Sequence, residues 1–184
     1  MICSVDFTPS FSKQPKPRPI PLASARCRVT GPGTVRADVV ISPEFIQIAS
    51  LDARIGADTL RASGRLAFVT GAIEGRADWT IPDLAALGGN VPWRFRPVGA
   101  VAGQAVVAGR WPDATVRATL SGTGLKAAGQ QVDRWSADVR LEDRTVLVDR
   151  LELEQAEGRL SARGEYALGR GTYTVHVSGR QLQL

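Results

Sequence analysis

The stretch Arg159-Leu-Ser-Ala-Arg-Gly164-Glu-Tyr-Ala-Leu168-Gly-Arg-Gly171-Thr-Tyr-Thr-Val-His-Val-Ser-Gly179 decides how the chain is read. Leu160, Ala162, Gly164, Tyr166 and Leu168 take alternate positions, with Arg159, Ser161, Arg163, Glu165 and Ala167 between them. Side chains on a strand point alternately to opposite faces, so the pattern predicts a strand with one apolar and one wet face. Gly169-Arg170-Gly171 predicts a turn, because glycine accepts positive φ without steric cost. On the return, Tyr173, Val175 and Val177 share one face, and Thr174, His176 and Ser178 share the other. The stretch reads as a β-hairpin with one oily side.

The hairpin recurs. At a spacing of 100 residues, Leu51, Leu60, Ala62 and Gly64 stand where Leu151, Leu160, Ala162 and Gly164 stand. Leu66 and Phe68 answer to Tyr166 and Leu168, and Gly71 answers to Gly171. Ile73, Gly75, Ala77 and Trp79 alternate as Tyr173, Val175, Val177 and Gly179 do. A third copy runs through Gly103, Ala105, Val107 and Gly109, turns at Trp111-Pro112-Asp113, and returns through Val116, Ala118, Leu120 and Gly122. Ser121-Gly122…Leu125 echoes Ser178-Gly179…Leu182. Self-similarity of this kind marks a repeat architecture.

Outward from these hairpins the chain reads as follows. Residues 1–27 read as a Pro-rich basic tail that is expected to be disordered, with Pro9, Pro15, Pro17, Pro19 and Pro21 among Lys13, Lys16 and Arg18. A repetitive β-segment is expected over 28–184. Arg28 to Ile41 begins the sheet, and Phe45 to Ala53 is read as a strand rather than a helix because it matches Val146–Leu153. Leu60–Phe68 and Ile73–Ile81 form the first full hairpin, and Pro82 to Leu87 is the one helix-like segment, closed by Gly88-Gly89-Asn90-Val91-Pro92. Trp93 to Val98 reads as irregular or an edge strand between prolines. Leu125 to Gln131 reads as a polar connector. Trp135, Ala137, Val139 and Leu141 make another strand, turned by Glu142-Asp143-Arg144 into Thr145–Glu154. There Val146 and Val148 have one parity and Leu151 and Leu153 the other, so a β-bulge near Asp149-Arg150 is expected. About ten strands in hairpin succession predict an antiparallel all-β meander. No amphipathic helix is available to cover its apolar side.

With 184 residues, 43% of them hydrophobic, one domain is the default. The net charge of +5 is carried largely by arginines. Arg36, Arg61, Arg65, Arg76, Arg117, Arg140 and Arg163 fall on polar strand faces among Asp and Glu, which argues against a nucleic-acid-binding patch. Cys3 and Cys27 establish neither a disulfide framework nor a compartment. No run of about 18 apolar residues is present to span a membrane as a helix. Met1 to Phe11 lacks the basic start and apolar core of a signal peptide. An envelope role would therefore make this chain a piece of a longer one, or one with a misassigned start.

No enzyme is expected. His176 is the only histidine and sits on a polar strand face, no nucleophile–base arrangement can be placed, and no metal-ligand cluster stands out. Gly122-Thr-Gly-Leu-Lys126 fails the spacing of a phosphate loop. No cofactor is expected. Trp79, Trp93, Trp111 and Trp135 suggest a sugar-stacking platform, but Trp79 and Trp135 continue apolar faces, which favours core or groove lining.

Leu151-Glu-Leu…Gly158-Arg-Leu-Ser-Ala-Arg-Gly164-Glu-Tyr, with Leu60-Arg-Ala-Ser-Gly64-Arg-Leu, carries a family resemblance. So does Ala118-Thr-Leu-Ser-Gly-Thr-Gly-Leu125 followed by Ser136-Ala-Asp-Val-Arg-Leu141. From about Val35 to Leu184 the chain resembles the AsmA/TamB superfamily of bacterial envelope proteins, whose degenerate repeats run "leucine, alternating strand, small-Ser-Gly, next strand". The resemblance implies a long twisted sheet folded into a taco-like, apolar-lined groove. It further implies an inner-membrane anchor, a periplasmic location, phospholipid as cargo and a link to outer-membrane protein assembly. The anchor is missing from this chain. Ten strands at about 4.8 Å span roughly 50 Å, less than a periplasm, which implies a segment of such a protein.

Such a groove would need no catalytic residue, since acyl chains leave water at about 0.8 kcal/mol per buried methylene. Its expected lining is Leu60, Leu66, Phe68, Ile73, Trp79, Val107, Val116, Leu120, Val139, Leu160, Tyr166, Leu168, Tyr173, Val175 and Val177. Ala62, Gly64, Ala105 and Ala162 would leave room for the chains. The rival reading is a closed β-sandwich used for adhesion or ligand binding. An outer-membrane barrel is disfavoured by an aromatic content of 6% without visible girdles.

Overall fold

The computed structural model describes residues 2–9, 23–30, 33–89, 98–127 and 130–180, with backbone alone for 2–9, 23–30, 87–89 and 127. Alternating sequence becomes strand throughout. The elements are β1 (Ile2–Pro9), β2 (Ala23–Thr30), β3 (Gly33–Ile41), β4 (Phe45–Ile55), β5 (Asp58–Ala67) and β6 (Ala72–Ile81). A short 3-10 helix (Leu84–Gly89) follows, then β7 (Val98–Arg110), β8 (Thr115–Ala127), β9 (Gln130–Glu142), β10 (Thr145–Gln155), β11 (Gly158–Ala167) and β12 (Thr172–Arg180). Strand order follows chain order from β1 to β12. The protein is all-β, an antiparallel meander of repeated hairpins.

The chain divides into two compact units, Met1–Asp78 with Val106–Ala114, and Trp79–Ala105 with Thr115–Leu184. The repeat spacing links their internal geometry. In the first unit β4 pairs with β5 through Ile46↔Leu66, Ile48↔Gly64, Leu51↔Ala62 and Ala53↔Leu60. In the second, β10 pairs with β11 through Val146↔Tyr166, Val148↔Gly164, Leu151↔Ala162 and Leu153↔Leu160. Every partner pair is displaced by 100 residues, and so is the break in register, between Ile48 and Leu51 and between Val148 and Leu151. The bulge expected at Asp149-Arg150 is present, and Ala49-Ser50 forms its counterpart. The turns repeat as well: the Phe68 amide donates to the Glu44 carbonyl at 2.7 Å, and the Leu168 amide to the Arg144 carbonyl at 2.9 Å. Gly71 and Gly171 close these turns at φ 67° and 66°, a backbone region that Cβ-bearing residues rarely adopt.

Each bulge has a glycine beside it on the neighbouring strand, and that glycine is itself crowded from its other side. A Cβ on Gly64 would lie 2.8 Å from the Glu74 carbonyl oxygen, and one on Gly164 would lie 2.5 Å from that of Thr174. The neighbouring strand passes too close to admit a side chain.

Three expectations are refined. The connector read at Leu125–Gln131 is strand on both sides, because Leu125 pairs with Val132 and Lys126 with Gln131; extending the ladder satisfies backbone groups that a loop would leave to solvent. The helix-like segment at Pro82–Leu87 is a 3-10 helix beginning at Leu84, and Asp83 accepts the Ala85 amide at 2.9 Å. Within the N-terminal segment read as a tail, Ile2–Pro9 pairs as strand β1 with β2. Residues 10–22 and the Trp93–Pro97 stretch lie outside the described residues.

Gly64→Ala and Gly164→Ala are each expected to lower stability by about 1–3 kcal/mol, the usual cost of forcing atoms into occupied space. Gly169→Ala, with nothing within 4 Å of its Cβ, is expected to stay within about 0.5 kcal/mol of the parent. Urea unfolding of the three variants checks the contrast.

Candidate functional site

Directly opposite residues in an antiparallel pair project to the same side of the sheet, so the register shows which side chains meet. In the second unit four apolar rows cross β8 to β12. They are Val116–Leu141–Val146–Tyr166–Tyr173, Ala118–Val139–Val148–Gly164–Val175, Leu120–Ala137–Leu151–Ala162–Val177, and Gly122–Trp135–Leu153–Leu160–Gly179. In the first unit the rows across β3 to β5 are Ile41–Ile46–Leu66, Val39–Ile48–Gly64, Ala37–Leu51–Ala62 and Val35–Ala53–Leu60. A Cβ on Gly75 would stand 3.4 Å from the Gly64 Cα and 3.2 Å from Val107 Cγ1, which adds β6 and β7 to the second of these rows.

The expected lining residues therefore fall into two sets. Leu60, Leu66 and Val107 lie in the rows of the first unit, joined by Ile73 at the matching parity of β6, with Phe68 in the turn after β5. Val116, Leu120, Val139, Leu160, Tyr166, Tyr173, Val175 and Val177 lie in the rows of the second unit, with Leu168 in the turn after β11. Trp79 also belongs to this unit: a Cβ on Gly103 would touch its indole at 2.5 Å and Leu120 at 2.9 Å. Sequence reasoning left Ile46, Ile48, Val146, Val148, Leu151 and Leu153 out of the lining, although the register sets them in the same rows. The parity change inside β4 and β10 hid them. In β10 that change is visible in the sequence, and it is the signal that finds them.

Two tryptophans lie over glycines. Trp79 covers Gly103, and Trp135 covers its cross-strand partner Gly122, so an aromatic plane fills the space a side chain would occupy. The Trp135 Nε1–H is buried without a hydrogen-bond partner, whereas Trp111, in the turn after β7, is 69% exposed.

The other side of the second unit is hydrophilic. Ser121, Ser136, Glu152, Ser161 and Ser178 form one row, and Thr123, Arg134, Glu154, Arg159 and Arg180 the next. The Ser161 and Ser178 hydroxyls are 2.7 Å apart, and Glu154 faces Arg159 at 2.9 Å and Arg134 at 3.5 Å. A depression of about 420 Å³ includes Thr80, Thr123, Arg134, Ser136 and Glu152 in its lining. His176 is exposed on this side opposite Arg163. No cluster of three or more His, Cys, Asp or Glu suited to a metal ion occurs among the described residues.

At the β10 bulge, Asp149 receives Arg140 Nε and Nη2 on its two oxygens at 2.6 and 2.7 Å. This hydrogen bonding, with the charge of Arg140, holds the Asp149 carboxyl below its ordinary value of 3.8 and raises Arg140. No known protein family, characterised protein or solved structure matches the chain.

A carboxyl depressed in the folded state stabilises it fully above the unfolded-state value and loses that contribution as pH falls through the folded one. The urea midpoint of the parent is thus expected to exceed that of Asp149→Asn at pH 7. The gap should close as pH drops below the ordinary 3.8, and titrating both midpoints from pH 7 downwards checks the sign.

Proposed function

We propose that the chain is a non-enzymatic segment of a cell-envelope protein whose apolar β-surface holds phospholipid acyl chains in transit between inner and outer membranes. The observation that carries this reading is a set of aligned apolar rows whose side chains stay partly open to solvent. Among the described residues only Leu84 and Ala137 are apolar and buried, at 8% and 7% exposure, while Tyr173 and Val177 are 75% and 61% exposed. Contiguous apolar area of this kind marks a binding surface. Acyl chains fit it chemically, because a lipid tail needs continuous apolar contact and no hydrogen-bond partners. Ala62 and Ala162, at matching places in the rows of the two units, are small enough to leave acyl chains room beside larger neighbours.

The resemblance to the AsmA/TamB superfamily supports the same reading. It would place the chain in the periplasm as part of a longer polypeptide, with a supporting role in outer-membrane protein assembly. A closed β-sandwich would bury large side chains on interior strands such as Ile48 and Leu60, each 36% exposed, so their exposure favours the open alternative.

Native mass spectrometry of the full chain purified in mild detergent is expected to show bound phospholipid, lost in Leu160→Asp and Val175→Asp variants that retain their β circular dichroism. A lipid-free, cooperatively unfolding parent would remove the transport reading. In single-tryptophan variants, phospholipid brominated on its acyl chains is expected to quench Trp135 more strongly than Trp111; equal quenching would move the lipid off the rows.

A further inference from the structure

At one end of the first unit the chain reverses after β3, after β5 and after β7, and main-chain hydrogen bonds tie these turns together. The Phe68 amide donates to the Glu44 carbonyl at 2.7 Å, and the Trp111 amide to the Gly71 carbonyl at 2.8 Å. Side chains of the turns close them further. Ser42 Oγ accepts the Glu44 and Phe45 amides at 3.2 and 3.1 Å, and Thr70 Oγ1 accepts the Ala72 amide at 3.2 Å. On this tied backbone Phe68, Val69 and Trp111 stand 51%, 84% and 69% exposed. The matching turn of the second unit carries Leu168 and Gly169 in place of Phe68 and Val69, so the apolar tip is not a demand of the repeat.

Single exposed apolar side chains are ordinary, whereas a group of them gathered on adjoining turns marks a contact. At about 150–250 Å² for a whole side chain, Phe68, Val69 and Trp111 together expose on the order of 400 Å². That is about half of the roughly 800 Å² that each partner of a stable protein complex buries. The interfacial zone of a bilayer asks for no matching shape, and it takes the apolar body of a tryptophan while the indole N–H stays among water and head groups. The charges nearest in the turns are Arg110 on one side and Glu44 and Asp113 on the other, so the tip has no excess of positive charge to select an anionic surface.

We infer that Phe68, Val69 and Trp111 form a docking tip that rests in the interfacial zone of a zwitterionic phospholipid bilayer. The contact is with the membrane surface and not with lipid held singly on the rows, and Val69 and Trp111 lie outside those rows. The inference does not rest on the acyl-chain reading: a chain that carries no lipid can still dock, and one that carries lipid can fail to. Binding through so small a tip is weak and reversible, in the range of a single acyl anchor.

The probe is a phosphatidylcholine vesicle added to the full-length chain after detergent removal, with binding read by co-flotation. The expected result is partition that changes by less than about twofold between low and high salt, since screening acts on charge and not on apolar contact. Trp111→Ala should weaken it about tenfold, and Val69→Gly, which installs the residue of the second unit's turn, about threefold, both with the circular dichroism of the parent. Tryptophan emission of the parent should shift to the blue on vesicles, and Trp111→Phe should lose that shift while still floating. Absence of flotation overturns the inference, as does flotation that requires phosphatidylglycerol and is reversed by salt. An equal loss in Val175→Asp moves the contact to the apolar rows and overturns it too. A blue shift that grows with protein concentration and needs no vesicle makes the occupant a second copy of the chain, again overturning it. Bound phospholipid counted by native mass spectrometry in Trp111→Ala keeps this outcome apart from that of the acyl-chain reading.

Discussion

The two-residue period of a β-strand constrains everything else in this protein. Among the described residues few apolar side chains are buried, and backbone ladders and cross-strand pairs hold the strands, each pair contributing about 0.2–1 kcal/mol. Such a scheme works only if every strand keeps its parity, because a slip of one residue would exchange an oily side for a charged one. β4 and β10 contain sequences whose parity changes midway. The bulges at Ala49-Ser50 and Asp149-Arg150 absorb the change, so that Ile48 and Leu51, or Val148 and Leu151, stay in the same set of rows.

Each bulge has a glycine beside it and polar contacts near it. Gly64 and Gly164 lie beside the bulges, and the carbonyls of Glu74 and Thr174, on the strand at their other side, occupy the positions of their missing side chains. In β10 the extra residue is held by the Arg140–Asp149 pair on the hydrophilic side. In β4 a different contact serves that region: Ser50 Oγ donates to Asp38 Oδ2 at 3.1 Å. The two repeats share a backbone solution and differ in the side chains that support it.

Much of this was legible from residue order. Alternation located the hairpins, and the 100-residue spacing located their copies, because both follow from side-chain direction, which is local. The bulge in β10 was legible because Val146, Val148, Leu151 and Leu153 cannot share a side otherwise. Its copy in β4 was hidden by Ala49 and Ser50, which are small enough to suit either side. The pairing of Leu125 with Val132 was obscured by Gly124, Gly129 and the glutamines, whose composition suits a loop as well as a ribbon. For the candidate surface, strand parity identified columns in β5, β8, β11 and β12 and Val139 in β9. The columns of β4 and β10 required the register. The seats of Trp79 and Trp135 over Gly103 and Gly122 were not legible at all, because a glycine opposite an aromatic becomes visible only once partners are assigned.

Each pairing resolved here joins strands adjacent in the chain through short connections. A ladder made only of neighbours has low contact order, and loop closure adds little to its folding barrier. It is close to a one-dimensional array, where ordering starts at any hairpin and spreads strand by strand. Damage in one strand then stays near its site, and hairpins are units that sequence evolution can duplicate without rebuilding the rest. The 100-residue spacing of like hairpins fits such a unit.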